Sequence, residues 1–207
     1  MEQSVKSNSK SVSKITARVM RWLHIYVSMV SFFLVLFFAV TGITLNHPDA
    51  FAFQQKQISR KGNLNVNWVA EKLDTGNINR LAILDYLRNK ENITASLSEW
   101  VVSQQQCLVS YKGPGYAADA FINRTDGSYE LSINEAGWVG IMNDLHKGRD
   151  TGKKWAWVID IAAVFMTIVS LTGILLMVWM KKKRVSGFLI AIAGVILAFV
   201  LYKVCIP

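Results

Sequence analysis

Apolar and polar positions alternate in two quite different ways along this chain. From Ile25 to Leu45 no residue carries a formal charge, from Trp155 to Met180 only Asp160 interrupts, and from Phe188 to Ile206 only Lys203 does. Each run is long enough to cross a hydrocarbon core of about 30 Å at roughly 1.5 Å per residue. The pattern predicts transmembrane helices over 22–45, 155–180 and 188–206. Residues 46–154 read as a helix followed by a sheet. Asn77 is placed to cap a helix running to about Lys90, with Ile78, Leu81 and Leu84 or Asp85 at helical spacing. Leu97 to Ser103 and Cys107 to Lys112 read as strands, and Lys112-Gly113-Pro114-Gly115 turns the chain after them. Tyr116, Ala118, Ala120 and Ile122 alternate, as do Tyr129, Leu131 and Ile133, with Asn123-Arg124-Thr125-Asp126-Gly127 as a hairpin-type link. Trp138, Ile141 and Leu145 share one helical face, as expected of an interfacial segment over 136–150. The predicted fold class is an α-helical membrane protein with three transmembrane helices and a small α+β domain.

The formal charge of +9 raises the question of nucleic-acid binding, and the distribution answers it. Residues 1–21 hold Lys6, Lys10, Lys14, Arg18 and Arg21 against Glu2, and the loop 181–187 opens with Lys181, Lys182, Lys183 and Arg184. The excess is confined to these two blocks, each beside an apolar run, while the middle segment is close to neutral. That is a membrane-topology signal and excludes nucleic acid as the expected partner. The positive-inside rule puts both blocks in the cytoplasm, the 46–154 domain and the C-terminus outside, and, for a bacterial inner membrane, in the periplasm. The first run is longer than a secretory signal core and ends in Thr41-Gly42-Ile43-Thr44-Leu45-Asn46-His47-Pro48, so it reads as an uncleaved anchor. Cys107 and Cys205 are the only cysteines and belong to no Cys-x-x-Cys-His motif, which excludes covalent c-type haem.

All three histidines fall at membrane boundaries: His24 at the inner end of the first run, His47 just past its outer end, and His146 shortly before the second. Neutral imidazole is a common axial ligand of haem iron, and His47 with His146 could supply two at the outer side. The plainer reading is three interfacial histidines, and a haem-free iron or copper site is a further one. A weak internal echo bears on the choice. Leu23-His24 and Thr41-Gly42-Ile43 flank the first run, while Leu145-His146 and Thr172-Gly173-Ile174 flank the second. Because the runs cross in opposite directions, Gly173 should lie at the depth of His24, and Gly42 at that of His146. The glycines serve either close approach of a flat macrocycle or plain helix packing. Asp160, the one carboxylate within the runs, is a candidate proton relay or a partner orienting an imidazole, or a shallow residue that snorkels to the interface. No phosphate-binding glycine loop, zinc motif or dinucleotide fingerprint is present, so no catalytic residue is assigned and any reductant must come from elsewhere.

Arg21-Trp22-Leu23-His24, Val40-Thr41-Gly42-Ile43-Thr44-Leu45-Asn46-His47-Pro48, Asp144-Leu145-His146-Lys147-Gly148-Arg149 and Leu171-Thr172-Gly173-Ile174 occur in an order that resembles the PepSY-associated transmembrane helix family. The resemblance covers the first two runs and the approach to the second, with a PepSY-like pattern between them. It implies a transmembrane b-type haem protein of the inner membrane that reduces periplasmic ferric iron or a ferric siderophore. One or two haem b groups would be held by His24, His47 and His146, with Gly42 and Gly173 beside them and quinol or a cytoplasmic reductase as donor. His24 has no second histidine at its depth, so a bis-His site there would need a homodimer. The expectation from another class is a non-enzymatic adaptor whose outer domain binds a transporter or peptidase.

Overall fold

The first apolar run and the basic segment before it form one continuous helix, α1 (Glu2–Asn46), in a computed structural model that describes residues 2–69, 78–180 and 182–206. A 3-10 turn over Pro48–Gln54 follows it. The second and third runs form α5 (Gly152–Trp179) and α6 (Arg184–Cys205). All three are long and apolar enough to cross a membrane, over Lys14–Asn46, Gly152–Trp179 and Arg184–Cys205. Their apolar side chains are mostly exposed in the single chain, as expected of surfaces whose solvent is lipid. The chain divides into two compact units, Met1–Leu36 with Asp160–Pro207, and Phe37–Ile159, so both boundaries fall inside helices.

Five antiparallel strands build the sheet of the second unit: β1 (Lys56–Asn63), β2 (Ser96–Val102), β3 (Gln106–Gly113), β4 (Tyr116–Asn123) and β5 (Ser128–Glu135), ordered β1-β5-β4-β3-β2. The alternation expected of β4 and β5 holds, since Ala118, Ala120, Ile122, Leu131 and Ile133 all point into the core beside Cys107, Val109 and Tyr111 of β3. The β4–β5 link closes on Gly127 at φ +75°, while Asp126 accepts from the Ser128 amide at 2.9 Å. β1 is absent from the sequence reading for a physical reason: it is an edge strand in which only Ile58 packs against the core, so Lys56-Gln57-Ile58-Ser59-Arg60-Lys61 carries no alternation to read.

A short helix, α2 (Val66–Val69), precedes α3 (Arg80–Glu91), which packs on the inner face of the sheet. Asn77, the expected cap, lies outside the described residues. The observed cap is Asn79, whose Oδ1 accepts from Ala82 N at 3.2 Å, and the helix ends on Asn92 in the left-handed region. The expected apolar face holds in part. Ile78 precedes the helix and Leu81 is 74% exposed, whereas Ile83 and Leu87, one turn apart, are fully buried. Ile78 and Leu84 do pack against the core, so of the expected apolar residues only Leu81 leaves the buried face. A further short helix, α4 (Gly137–Lys147), occupies the expected interfacial segment and leaves Trp138 and Ile141 exposed.

One buried carboxylate ties three of these elements together. Glu91 at the end of α3 accepts from Tyr129 Oη of β5 at 2.6 Å and from Arg60 Nη1 of β1 at 2.9 Å. Gly62 of β1 lets the tyrosine pass, because a Cβ there would stand 2.5 Å from Tyr129 Oη. Burial pushes the Glu91 carboxyl up, but the Tyr129 and Arg60 hydrogen bonds outweigh it and hold the group below its ordinary value of 4.5. A depressed carboxylate stabilises the fold above its unfolded pKa and loses that contribution as pH falls through the folded value. Glu91→Gln is therefore expected to destabilise the sheet unit at neutral pH by about 1–3 kcal/mol. It should also flatten the loss of stability that the wild type shows below about pH 4.5. Denaturant titrations of the full chain followed by tryptophan fluorescence read both; equal acid sensitivity in the two proteins contradicts the assignment.

Candidate functional site: two histidine–threonine clasps

His24 and His146 occupy the same kind of place, one in each unit. In the first unit His24 projects from α1 and its Nδ1 lies 3.0 Å from Thr172 Oγ1 on α5. In the second, His146 projects from α4 and its Nδ1 lies 2.6 Å from Thr41 Oγ1 on α1. A glycine follows each threonine. A Cβ added at Gly173 would meet His24 Cε1 at 3.2 Å, and one added at Gly42 would meet His146 Cε1 at 3.9 Å. The echo expected from Leu-His and Thr-Gly-Ile is thus a pair of contacts in space: each imidazole edge lies on the Thr-Gly step of the other helix.

One assignment of hydrogens satisfies all of these contacts together. A threonine hydroxyl has one proton and two lone pairs. Thr172 Oγ1 donates within its own helix, to Ile168 O at 2.8 Å and Val169 O at 3.0 Å, and Thr41 Oγ1 donates to Phe37 O at 2.6 Å. In that assignment each hydroxyl, its proton engaged in its own helix, meets the imidazole as an acceptor, and Nδ1 is the donor. Neutral His24 and His146 then keep their lone pair on Nε2, the arrangement that metal-ligating imidazoles adopt.

The sequence around His146 explains how a short helix holds its ring in place. Asp144, 8% exposed, accepts from Gly115 N at 2.8 Å through Oδ2 and from Arg149 Nη2 at 2.8 Å through Oδ1. α4 ends at Gly148, whose φ of +67° suits a residue without Cβ. Trp155 Nε1 donates to Leu145 O at 2.8 Å, and Thr44 Oγ1 donates to Asn143 Oδ1 at 2.6 Å. The run Asp144-Leu145-His146-Lys147-Gly148-Arg149 is therefore an anchor, a reaching histidine, a stop and a return pair. Phe38 closes the edge of the ring, its centroid 4.9 Å from that of His146 at 75°.

The remaining candidates lie elsewhere. His47 is exposed, and its Nδ1 bonds Ile43 O of its own helix at 3.0 Å. Ile43 is roughly half a turn round α1 from the face formed by Phe38, Thr41 and Gly42, so the structure does not bring His47 and His146 together. Asp160 is exposed, with no hydrogen bond or ion pair among the described residues, and the Nδ1 positions it was a candidate to orient are taken by threonine. No group of three or more His, Cys, Asp or Glu among the described residues could hold a metal ion. Cys107 and Cys205 are unpaired, and burial pushes the Cys107 thiol up to about 11. The functional residues that sequence reasoning passed over are Thr41, Thr172 and Asp144. The threonines were visible as the first letters of the echo, but read only for their glycines.

The two glycine distances predict unequal tolerance. Gly173→Ala places a methyl tighter against the imidazole than ordinary contact and should lower stability by about 1–3 kcal/mol. Gly42→Ala, at ordinary contact distance, should fall within error of the wild type. Thermal unfolding of the two variants in detergent checks this, and the reverse order contradicts it.

Comparison with curated proteins and with solved structures finds no match. Comparison with protein families finds one that covers the chain from ahead of His24 to its end, taking in both clasps, the sheet and all three long apolar helices. With residues 18–207 matched, the chain belongs to the PepSY_TM-like family.

Proposed function

We propose that this chain is a b-type haem protein of the bacterial inner membrane that passes electrons outward to periplasmic ferric iron or a ferric siderophore. The observation that carries the reading is the repeated clasp, in which Nδ1 of His24 and of His146 is each engaged by a buried threonine hydroxyl of another helix. The donor chemistry fits haem: a neutral imidazole oriented through Nδ1 is what haem iron takes as an axial ligand. When bound, haem supplies one-electron chemistry that no side chain here provides. The protein's own residues do the rest. His24 and His146 bind, Thr172 and Thr41 hold the Nδ1 proton, and Gly173 and Gly42 keep the ring edge free of a side chain. Ser31, two turns from His24 on the same face of α1, is 2% exposed, and its hydroxyl has no hydrogen-bond partner among the described residues.

Each clasp offers one imidazole, so bis-imidazole ligation calls for a second copy of the chain, in keeping with a homodimer. The charge pattern supports a cytoplasmic N-terminus, a periplasmic sheet domain of PepSY type and a periplasmic C-terminus. Electrons then come from quinol or a cytoplasmic reductase. A second reading is the membrane adaptor. It is favoured by the closeness of each ring to a glycine of the partner helix, a contact that serves packing alone.

A reduced-minus-oxidised spectrum of the detergent-purified protein from haem-replete cells separates them. The haem reading expects a b-type spectrum that His24→Ala and His146→Ala each diminish or shift, and that His47→Ala leaves largely intact. Colourless wild-type protein whose histidine variants still support the cellular phenotype establishes the adaptor; bound iron or copper without a Soret band establishes a haem-free metal site.

A further inference from the structure

We infer that Thr41 and Thr172 are positioning residues that set the tautomer of His146 and His24, so that each imidazole is prepared as an Nε2 ligand before any iron arrives. This deepens the haem reading and rests on it for its purpose, but its physical content is a statement about the chain alone.

In water the histidine side chain exchanges freely between two neutral tautomers and favours the one protonated on Nε2. A ligand to iron needs the other. At both clasps the reversal comes from a hydroxyl whose proton is within reach of a carbonyl of its own helix. Thr172 and Thr41 lie in helices, are 5% and 4% exposed, and give their protons to carbonyls of the preceding turn. What they present to the imidazole is a lone pair, and a lone pair can only be met by N–H. The Nδ1 to Oγ1 separations of 3.0 Å and 2.6 Å are hydrogen-bonding distances, and both threonines are too buried for water to take the imidazole's place readily.

Two features argue that this is more than helix packing. The same arrangement occurs twice with the elements exchanged: α5 supplies the threonine to a histidine of α1, and α1 supplies it to a histidine of α4. Packing alone would be satisfied by any small residue in place of threonine. And the glycine after each threonine lies against Cε1, the atom between the two nitrogens, so the ring is held along its Nδ1–Cε1 edge. An acceptor on Nδ1–H also raises the basicity of Nε2. Removing it should weaken the ligand and, in the haem-loaded protein, shift the midpoint potential upward, since a less basic ligand favours ferric iron less.

The test uses the full-length chain in detergent, labelled with 15N at histidine and purified from haem-depleted cells, so that the imidazoles are unligated. The three histidines are assigned by single His→Ala variants. Thr172→Val and Thr41→Val keep the shape of the side chain and remove the hydroxyl, while Thr172→Ser and Thr41→Ser restore it. Ring nitrogen shifts of the wild type are expected to show His24 and His146 protonated at Nδ1. Each valine variant should return its own histidine, and not the other, toward the mixture of the free side chain, and each serine variant should recover the wild-type state. A wild type with the free-chain mixture at both positions, or valine variants that leave the shifts unchanged, overturns the inference. Thermal unfolding of the same samples guards against loss of fold, and should a valine variant not fold, the serine variant and the wild-type spectrum still decide. Protein that shows the Nδ1-protonated state yet never takes up haem leaves the threonine assignment standing and removes the haem reading.

Discussion

A threonine inside a helix has one proton to give, and in this protein that limit governs both histidine sites. With the hydroxyl hydrogens of Thr172 and Thr41 directed at the backbone of the preceding turn, only a lone pair is left for the neighbouring imidazole. Helix packing and ligand chemistry are coupled through this exchange. The contact that brings two segments together also decides which nitrogen of the ring is free. A serine or threonine turned outward, or an asparagine that can both donate and accept, would pack as well and decide nothing.

The two clasps meet the same requirement with different support. In the first unit, long helices bring His24 onto Thr172, and the tolerance is narrow: the ring edge stands 3.2 Å from where a Cβ of Gly173 would be. In the second, the histidine rides on an eleven-residue helix that needs outside anchors. Asp144 supplies them, joined to the β3–β4 turn through Gly115 and to Arg149 beyond the helix end. The sheet is therefore part of the site's construction through the turn that Gly115 closes. Its own integrity rests in turn on the Glu91, Tyr129 and Arg60 connection among α3, β5 and β1.

Much of this was legible in the sequence, and the gaps have physical causes. The three apolar helices, four of the five strands and the amphipathic α4 follow from period and charge, because burial in lipid or core leaves a strong pattern. β1 left none, since an edge strand with one core residue is free to be polar. On α3 the spacing finds Ile78 and Leu84, which pack against the core, but puts Leu81 on that face in place of the fully buried Ile83 and Leu87. The echo of Leu-His and Thr-Gly-Ile located both clasps, because inverted spans bring matching ends to one depth. What it did not reveal was the role of threonine, which depends on where a hydroxyl proton goes, a matter of three-dimensional neighbours that no spacing encodes.

His47 and Asp160 show why position along a membrane helix is a weaker guide than the partner opposite. Both lie near a span boundary, as His24 and His146 do, and by depth alone all four are equal candidates. His47 turns back on the Ile43 carbonyl, and Asp160 stands exposed; neither faces a Thr-Gly step. A carbonyl acceptor also leaves Nε2 of His47 unprotonated, so the tautomer by itself does not distinguish it. The distinction is rigidity. The His47 ring is held by one bond to a carbonyl of its own helix, whereas His24 and His146 are each placed against a buried hydroxyl and a glycine of another segment. A ring that must hold one direction needs a partner on another segment, and of the three histidines His24 and His146 have one in a threonine.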